Sequence, residues 1–518
     1  MTDILFGQSY YLRFDPKLLE AMQPFPPLGT LYAAGYLRSR GYDVALFDAM
    51  LAESEEEWAQ ALDRYQPHMA VIYEDHFNYL SKMCLLRMRQ AALTMIGMAR
   101  QRGCTVIVAG ADTNDHPDLY LRGGADFVLL GEGEITLGEL VDDLSQNRAT
   151  RREPTILGLA WLEQGRVVRT PPRPDLRALD SLPFPAWDLV DVPRYRRIWL
   201  GRHGYYAMNM VTTRGCPYHC NWCAKPIWGQ RYNSRSPENV VAELKQLAER
   251  YQPDFIWFMD DIFGLKPGWT QRFADLLQKE GLQLPFKCLS RADLLLREGE
   301  VDALNKAGAR IVWMGAESGS QKVLDAMEKG IQVEQIYAAT QRLHAVGIQA
   351  GFFLQFGYPG EERADIERTL QMVRDCRPED IGISVSYPLP GTKFHAAVRA
   401  QLGVQQNWYD SDDLAMLYRG PYDTRFYRQL HRVVHLEFRR DKAWRAFWQG
   451  RETPLLPMEG IVGRARALLR WARYAARLPL ARWKLNRLQR LPHQGIVPLP
   501  TALTPMEAAQ PSPQAERG

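Results

Sequence analysis

The sequence predicts an α/β protein in three parts: an N-terminal doubly wound, Rossmann-like sheet, a partial (β/α)6 barrel of the TIM type, and a helical C-terminal extension. Three observations carry this reading. Short apolar runs alternate with helical stretches over residues 3–145, the same alternation resumes over 205–387, and a stretch rich in Pro and Arg separates the two series.

In the first series Ile4 to Phe6, Val44 to Phe47, Met69 to Tyr73, Thr105 to Ala109 and Phe127 to Leu130 read as buried parallel strands. Pro26-Pro27-Leu28-Gly29 opens a helix that runs through Leu37 and stops at Gly41, the Pro-start and Gly-stop asymmetry of helices. We assign residues 1–150 to this domain, where a ligand would sit beyond the carboxyl ends of the strands. Residues 151–200 read as an ordered linker, with Ile156 to Trp161 and Val167 to Arg169 as a small hairpin.

The second domain, 201–400, has strands at Tyr205 to Thr213, Phe255 to Met259, Phe286 to Leu289, Arg310 to Gly315, Gln349 to Phe356 and Ile381 to Tyr387. Helices fall near 237–250, 269–280, 293–307, 320–346 and 362–375, the first capped by Ser236-Pro237-Glu238. Six such units make a partial parallel barrel, whose functional groups gather at the C-terminal strand ends. Residues 401–460 are expected to be helical, 461–492 to form a basic amphipathic helix, and 493–518, with five prolines, to be disordered.

At the end of the first barrel strand stands Cys216-Pro-Tyr-His-Cys220-Asn-Trp-Cys223. Three thiolates on one tight loop can hold three irons of a 4Fe-4S cluster and leave the fourth open to a cosubstrate. The other cysteines, Cys84, Cys104, Cys288 and Cys376, stand alone in sequence and read as small core residues. A Cys3His zinc site completed by His219 is the competing reading, but His219 directly precedes Cys220, which makes shared ligation awkward.

Composition fits a folded, soluble, cytoplasmic chain, with 46% hydrophobic and 24% charged residues, no signal peptide and no apolar run long enough to span a membrane. The net charge of +4 is uneven. Residues 461–492 carry eight Arg, one Lys and no acid, so the body is mildly acidic and gives no support to nucleic-acid binding.

With the cysteine run placed after a barrel strand, the chain resembles the radical S-adenosylmethionine superfamily, and its N-terminal domain makes it similar to the cobalamin-binding branch. Arg214-Gly215, Trp222 and the stretch Arg231 to Val240 share in the likeness. The resemblance implies three cofactors: a 4Fe-4S cluster on Cys216, Cys220 and Cys223, S-adenosylmethionine on its open iron, and cobalamin. It implies that S-adenosylmethionine is cleaved reductively to a 5′-deoxyadenosyl radical, with an electron donor such as a flavodoxin or ferredoxin.

By the same resemblance Asp260 and Asp261 hold the amino group of S-adenosylmethionine, and Ser290, Arg291 and Glu317 contact its carboxylate or ribose. Each has a simpler reading as a helix cap or an internal ion pair. The loop Gln355 to Glu361 would approach the adenine, and Leu28, Gly29, Gly110 and Gly131 would meet the corrin and its nucleotide tail. No D-x-H-x-x-G lies in the first βα loop. The nearest imitation, Glu74-Asp75-His76, follows the third strand, so a cobalt-ligating histidine is not expected.

The function expected is methyl transfer to an unactivated carbon of a small-molecule or lipid-like substrate. An anaerobic oxidative cyclase like the magnesium-protoporphyrin ester enzyme, suggested also by Tyr387 to Thr392, is the alternative, and a noncatalytic corrinoid or metal sensor is a third. In the basic segment Val462, Ala465, Leu469, Ala472 and Ala476 recur at helical spacing, Pro479 is expected to break or kink the helix, and Leu485, Leu488 and Leu491 restart an apolar row beside Trp483. Peripheral contact with an anionic membrane is one expectation for it, and packing on the barrel or on a partner protein is the other.

Overall fold

The computed structural model of the protein describes residues 2–83, 85–146, 156–223, 227–449 and 460–490. The expectations for Cys84 and for the tail 493–518 lie outside the described residues.

Five short apolar strands, β1 (Ile4–Gly7), β2 (Val44–Leu46), β3 (Met69–Tyr73), β4 (Thr105–Ala109) and β5 (Phe127–Leu129), pair in parallel in the order β2-β1-β3-β4-β5. Nearly every residue in them is buried, as expected of a sheet covered on both faces. The hairpin read as part of the linker, β6 (Leu159–Glu163) and β7 (Arg166–Arg169), is continuous with this sheet: β6 pairs antiparallel with β5. The N-terminal unit therefore extends about 20 residues further than its strand alternation suggested.

The second sheet has six parallel strands in sequence order: β8 (Ala207–Met210), β11 (Phe255–Phe258), β12 (Phe286–Ser290), β13 (Ala309–Glu317), β14 (Gln349–Phe356) and β15 (Asp380–Val385). Between β8 and β11 a two-residue ladder intervenes, β9 (Thr213–Arg214) with β10 (Asn233–Ser234). Strand alternation sets two faces. Val312, Met314, Phe352 and Leu354 are buried in one core with Leu304, Ile336 and Leu343 of the outer helices. Trp313 and Phe353 point the other way, into the half-barrel, their rings 4.7 Å apart, and Phe353 keeps 39% of its surface exposed. Gly351 and Gly382 allow this, since a side chain at either would run into Trp313 or Phe353.

The helices expected near 293–307 and 320–346 are each divided, into Ala292–Leu295 and Glu300–Ala307, and Gln321–Ala326 and Val333–Ala345. Gly299 and Gly330, both in left-handed backbone, interrupt the periodicity. Cys104, Cys288 and Cys376 are buried, as small core residues should be.

Two long helices, Thr424–Gln449 and Gly460–Gln489, pack on each other beside the barrel. The second runs through Pro479 without ending, so of the break or kink expected there the break does not occur. Burial of Leu478, Ala481 and Leu485 against its neighbour, with the Gln429 side chain donating to the Ala481 carbonyl at 2.8 Å, holds it on both sides of the proline. The row beginning Val462 and Leu469 faces outward, whereas Leu485 is buried rather than exposed with Trp483. No helix among the described residues is long and apolar enough to cross a membrane.

Candidate active site at the barrel's strand ends

The cysteine loop leaves β9 and returns through β10, so the ladder Thr213–Ser234 and Arg214–Asn233 clips its two ends together. Gly215 makes the clip possible. Its φ is +79°, and a Cβ there would fall 2.3 Å from the Arg231 carbonyl oxygen. Within the loop Cys220 is buried, Cys216 and Cys223 are half-buried, and His219 is exposed. Asn221 ties the loop to the barrel: its side-chain amide donates to the Ala326 carbonyl at 2.7 Å, its own oxygen accepts from the Tyr358 hydroxyl at 3.0 Å, and its backbone N–H donates to Met327 O.

Three buried arginines surround this loop. Arg214, just before it, pairs at 2.6 Å with Glu134, the first residue of the helix Glu134–Ser145, and at 3.6 Å with Glu132 in the loop between β5 and that helix. Burial would raise the Glu134 pKa, but the charge and hydrogen bond of Arg214 hold it below the ordinary value, whereas burial pushes Glu132 up to about 7. Arg235, just after β10, pairs with Glu243 at 2.5 Å and donates to the Tyr32 hydroxyl at 3.0 Å. Arg291, after β12, lies 3.5 Å over the Tyr218 ring and donates to the Lys329 carbonyl and to Asp293.

Asp260, at the end of β11, is buried, and its carboxylate accepts the Thr212 and Thr213 N–H groups at 2.7 and 2.8 Å and the Thr212 hydroxyl at 2.7 Å. Desolvation raises its pKa to about 6 despite these bonds. It fixes the turn from which the clip begins. Asp261 pairs with Lys82 of the N-terminal domain at 2.6 Å, and Lys82 stands 5.1 Å from the Trp228 ring. Ser290 ends β12, half-buried. Glu317, in left-handed backbone at φ +56°, ends β13 and pairs with the buried Lys329 at 2.7 Å. Burial alone would lower the Lys329 pKa, but Glu317 and then Cys220 raise it. A side chain at Gly315 would collide with that pair.

At the N-terminal sheet, Leu28 and Gly29 begin a helix whose first N–H groups have no local cap. Asp75 supplies one, accepting from Gly29 N at 3.0 Å, and a Cβ at Gly29 would lie 2.9 Å from His76 N. Gly110 packs against the Glu74 side chain, and Gly131, at φ +77°, has open space around it. His76 is buried between Tyr73 and Trp228, and burial lowers its pKa to about 4. Asn221, Arg235, Lys329 and Trp228 were not singled out from the sequence as site residues. Asn221 lies inside the cysteine run, but its side-chain partners, Ala326 and Tyr358, are 105 and 137 residues away in the chain.

The donors present suit the three cofactors. Three thiols that each take a different iron of a cubane need not converge on one point, and among the described residues no three His, Cys, Asp or Glu side chains do. Gln355 Oε1, near the end of β14, and Glu361 Oε1, in the loop after it, are buried without a hydrogen-bond partner among the described residues, as a polar cosubstrate would require. Both ring nitrogens of His76, Trp228 Nε1 and Glu132 Oε1 likewise find no partner among the described residues where the two domains meet, a place suited to a corrin with its amide arms.

Two family models match the chain, the B12 binding domain over residues 18–141 and the Radical SAM superfamily over 210–373. An uncharacterised methyltransferase of Pyrococcus horikoshii is 29% identical, over 74% of this chain and 81% of its own. The anaerobic magnesium-protoporphyrin IX monomethyl ester cyclase of Rubrivivax gelatinosus is 26% identical, over 71% of this chain and 65% of its own. Among solved structures, the cobalamin-dependent S-adenosylmethionine radical enzyme OxsB superposes with a TM-score of 0.70 at 14% identity, over 94% of this chain and 72% of that one, a likeness of fold. With both models matched in this order, and the cysteine loop at the barrel's strand ends, the chain belongs to the B12-binding radical SAM superfamily, which uses a 4Fe-4S cluster, S-adenosylmethionine and cobalamin.

Proposed function

We propose that this cobalamin-dependent radical S-adenosylmethionine enzyme transfers a methyl group to an unactivated carbon. The supporting observation is the direct apposition of the cysteine loop and the C-terminal edge of the N-terminal sheet, joined by the buried Arg214–Glu134 pair. When bound, the cluster and S-adenosylmethionine supply a hydrogen-abstracting radical, and the corrinoid supplies the methyl group. The chain's own residues supply position. Asp260 and the β9–β10 clip fix the loop, Arg291 and Asn221 hold it from the barrel side, and Arg214 sets its distance from the N-terminal domain. Trp313 and Phe353 offer the half-barrel an apolar wall for the substrate's carbon skeleton. The methyltransferase relative supports this reading over the cyclase one by identity and by share of length.

The test is anaerobic reconstitution with iron, sulfide and hydroxocobalamin, a low-potential reductant, and measurement of 5′-deoxyadenosine. The intact protein should release it, and Cys216→Ala, Cys220→Ala or Cys223→Ala should each reduce release to background along with iron content. Turnover by any of the three variants would refute the site. With a substrate in hand, product mass decides the reaction: methyl transfer adds one CH2 unit, and cyclisation does not.

A further inference from the structure

The two long C-terminal helices present a face that the chemistry above does not use. In Gly460–Gln489 the residues Ala467, Leu478, Ala481 and Leu485 are buried against the preceding helix. At 100° per residue Val462, Leu469, Leu480 and Trp483 fall on the opposite side, and they are 59%, 71%, 58% and 56% exposed. Trp444 and Trp448 of the neighbouring helix, 41% and 65% exposed, are a separate apolar feature of the hairpin, Trp444 lying 5.2 Å from Trp471 on the packed side of the last helix. Of thirteen large apolar side chains exposed among the described residues, seven lie on these two helices, and four of those seven form this one stripe.

Within the helix itself every charged side chain is a cation. No acid occurs in Gly460–Gln489, and Arg466, Arg473, Arg477 and Lys484 line one border of the stripe, all exposed. Glu437 of the neighbouring helix takes Arg482 at 2.8 Å, on the flank rather than at the stripe. A second copy of the same face would meet cation with cation, which disfavours self-association there. An apolar row with exposed Trp and a border of Arg and Lys, on a helix about 45 Å long, is matched by a surface that is apolar within and anionic at its rim.

We propose that the outward face of Gly460–Gln489 docks on an anionic lipid bilayer, with the helix axis along the surface. Val462, Leu469, Leu480 and Trp483 enter the boundary of headgroups and acyl chains, and the cations beside them meet lipid phosphates and carboxylates. The half-barrel is thereby held at the membrane.

The test is sedimentation of the full-length protein, loaded with its cofactors, with vesicles of phosphatidylcholine alone and of phosphatidylcholine containing phosphatidylglycerol. Binding should require the anionic lipid and fall at least about tenfold as salt shortens the Debye length. Arg466→Gln, Arg473→Gln and Arg477→Gln should each weaken it about fivefold. Leu469→Asn combined with Leu480→Asn and Trp483→Asn should abolish it. All of these positions are in solvent already, and Lys245→Gln on the outer face of the barrel, distant from the hairpin in sequence, should bind as the parent does. Failure to sediment with anionic vesicles at low salt would overturn the proposal and direct attention to an acidic protein surface. Equal binding to neutral vesicles, or indifference to both sets of substitutions, would overturn it too. None of these readouts depends on the reaction the enzyme catalyses.

Discussion

The arginines around the cysteine loop and those along the last helix are the same side chain put to opposite uses. Arg214, Arg235 and Arg291 are 4–5% exposed, and each is bonded to a partner distant in sequence. Arg464, Arg466, Arg473 and Arg477 stand in solvent. A buried guanidinium with its fork filled fixes the distance between the segments it joins, because losing one partner strands a charge in a medium that solvates it poorly. An exposed one contributes little to the fold. The chain can therefore carry a row of exposed ones along this helix without loss of stability.

That contrast is sharpest at Arg214. Arg214→Ala leaves Glu132 and Glu134 buried without their cation and should cost about 3–5 kcal/mol in denaturant unfolding. A loss below about 1 kcal/mol would mean that the two domains do not rely on this pair. A smaller effect is expected at His76, whose ring is neutral when folded. Its folded pKa of about 4 lies below the unfolded value of 6.5, so the unfolded chain takes up the proton first and stability falls as pH drops from 6.5 toward 4. The contribution is about 3 kcal/mol at most. His76→Leu should flatten that part of the stability curve relative to the parent, and parallel curves would show the ring to be solvated. Smallest of all, Arg473→Ala should shift stability by less than about 0.5 kcal/mol, since nothing in the fold leans on it.

The strands and the cysteine spacing were legible because both signals are local: apolar runs of four or five residues, and three thiols within eight positions. The partners of those thiols' loop were not. Glu134 is 80 residues from Arg214 and Tyr32 is 203 from Arg235, and no periodicity links such positions. The last helix was legible as a helix, but not in which of its faces packs. Two rows at three- and four-residue spacing run along it, Val462-Ala465-Leu469-Ala472-Ala476 and Ala467-Trp471-Tyr474-Leu478-Ala481-Leu485, and only the neighbouring helix chooses between them. Pro479 belongs with this case, since packing on both sides outweighs the hydrogen bond it removes.

The clip that closes the cysteine loop has a bearing on whether the barrel is a separable module. Its two ends are carried by Arg214 and Arg235, and both reach into the N-terminal domain, to Glu134 and to Tyr32. Phe25 from the same domain covers Trp257 of the barrel at 4.9 Å, and Pro26 accepts a hydrogen bond from Asn209 on β8. A fragment cut just before β8 would retain every thiol of the motif and every strand of the barrel, yet it would expose the seam on which the cysteine loop is mounted. The loop that carries the three thiols is thus mounted on a domain that contributes none of them, and its geometry belongs to the pair of domains rather than to the barrel alone.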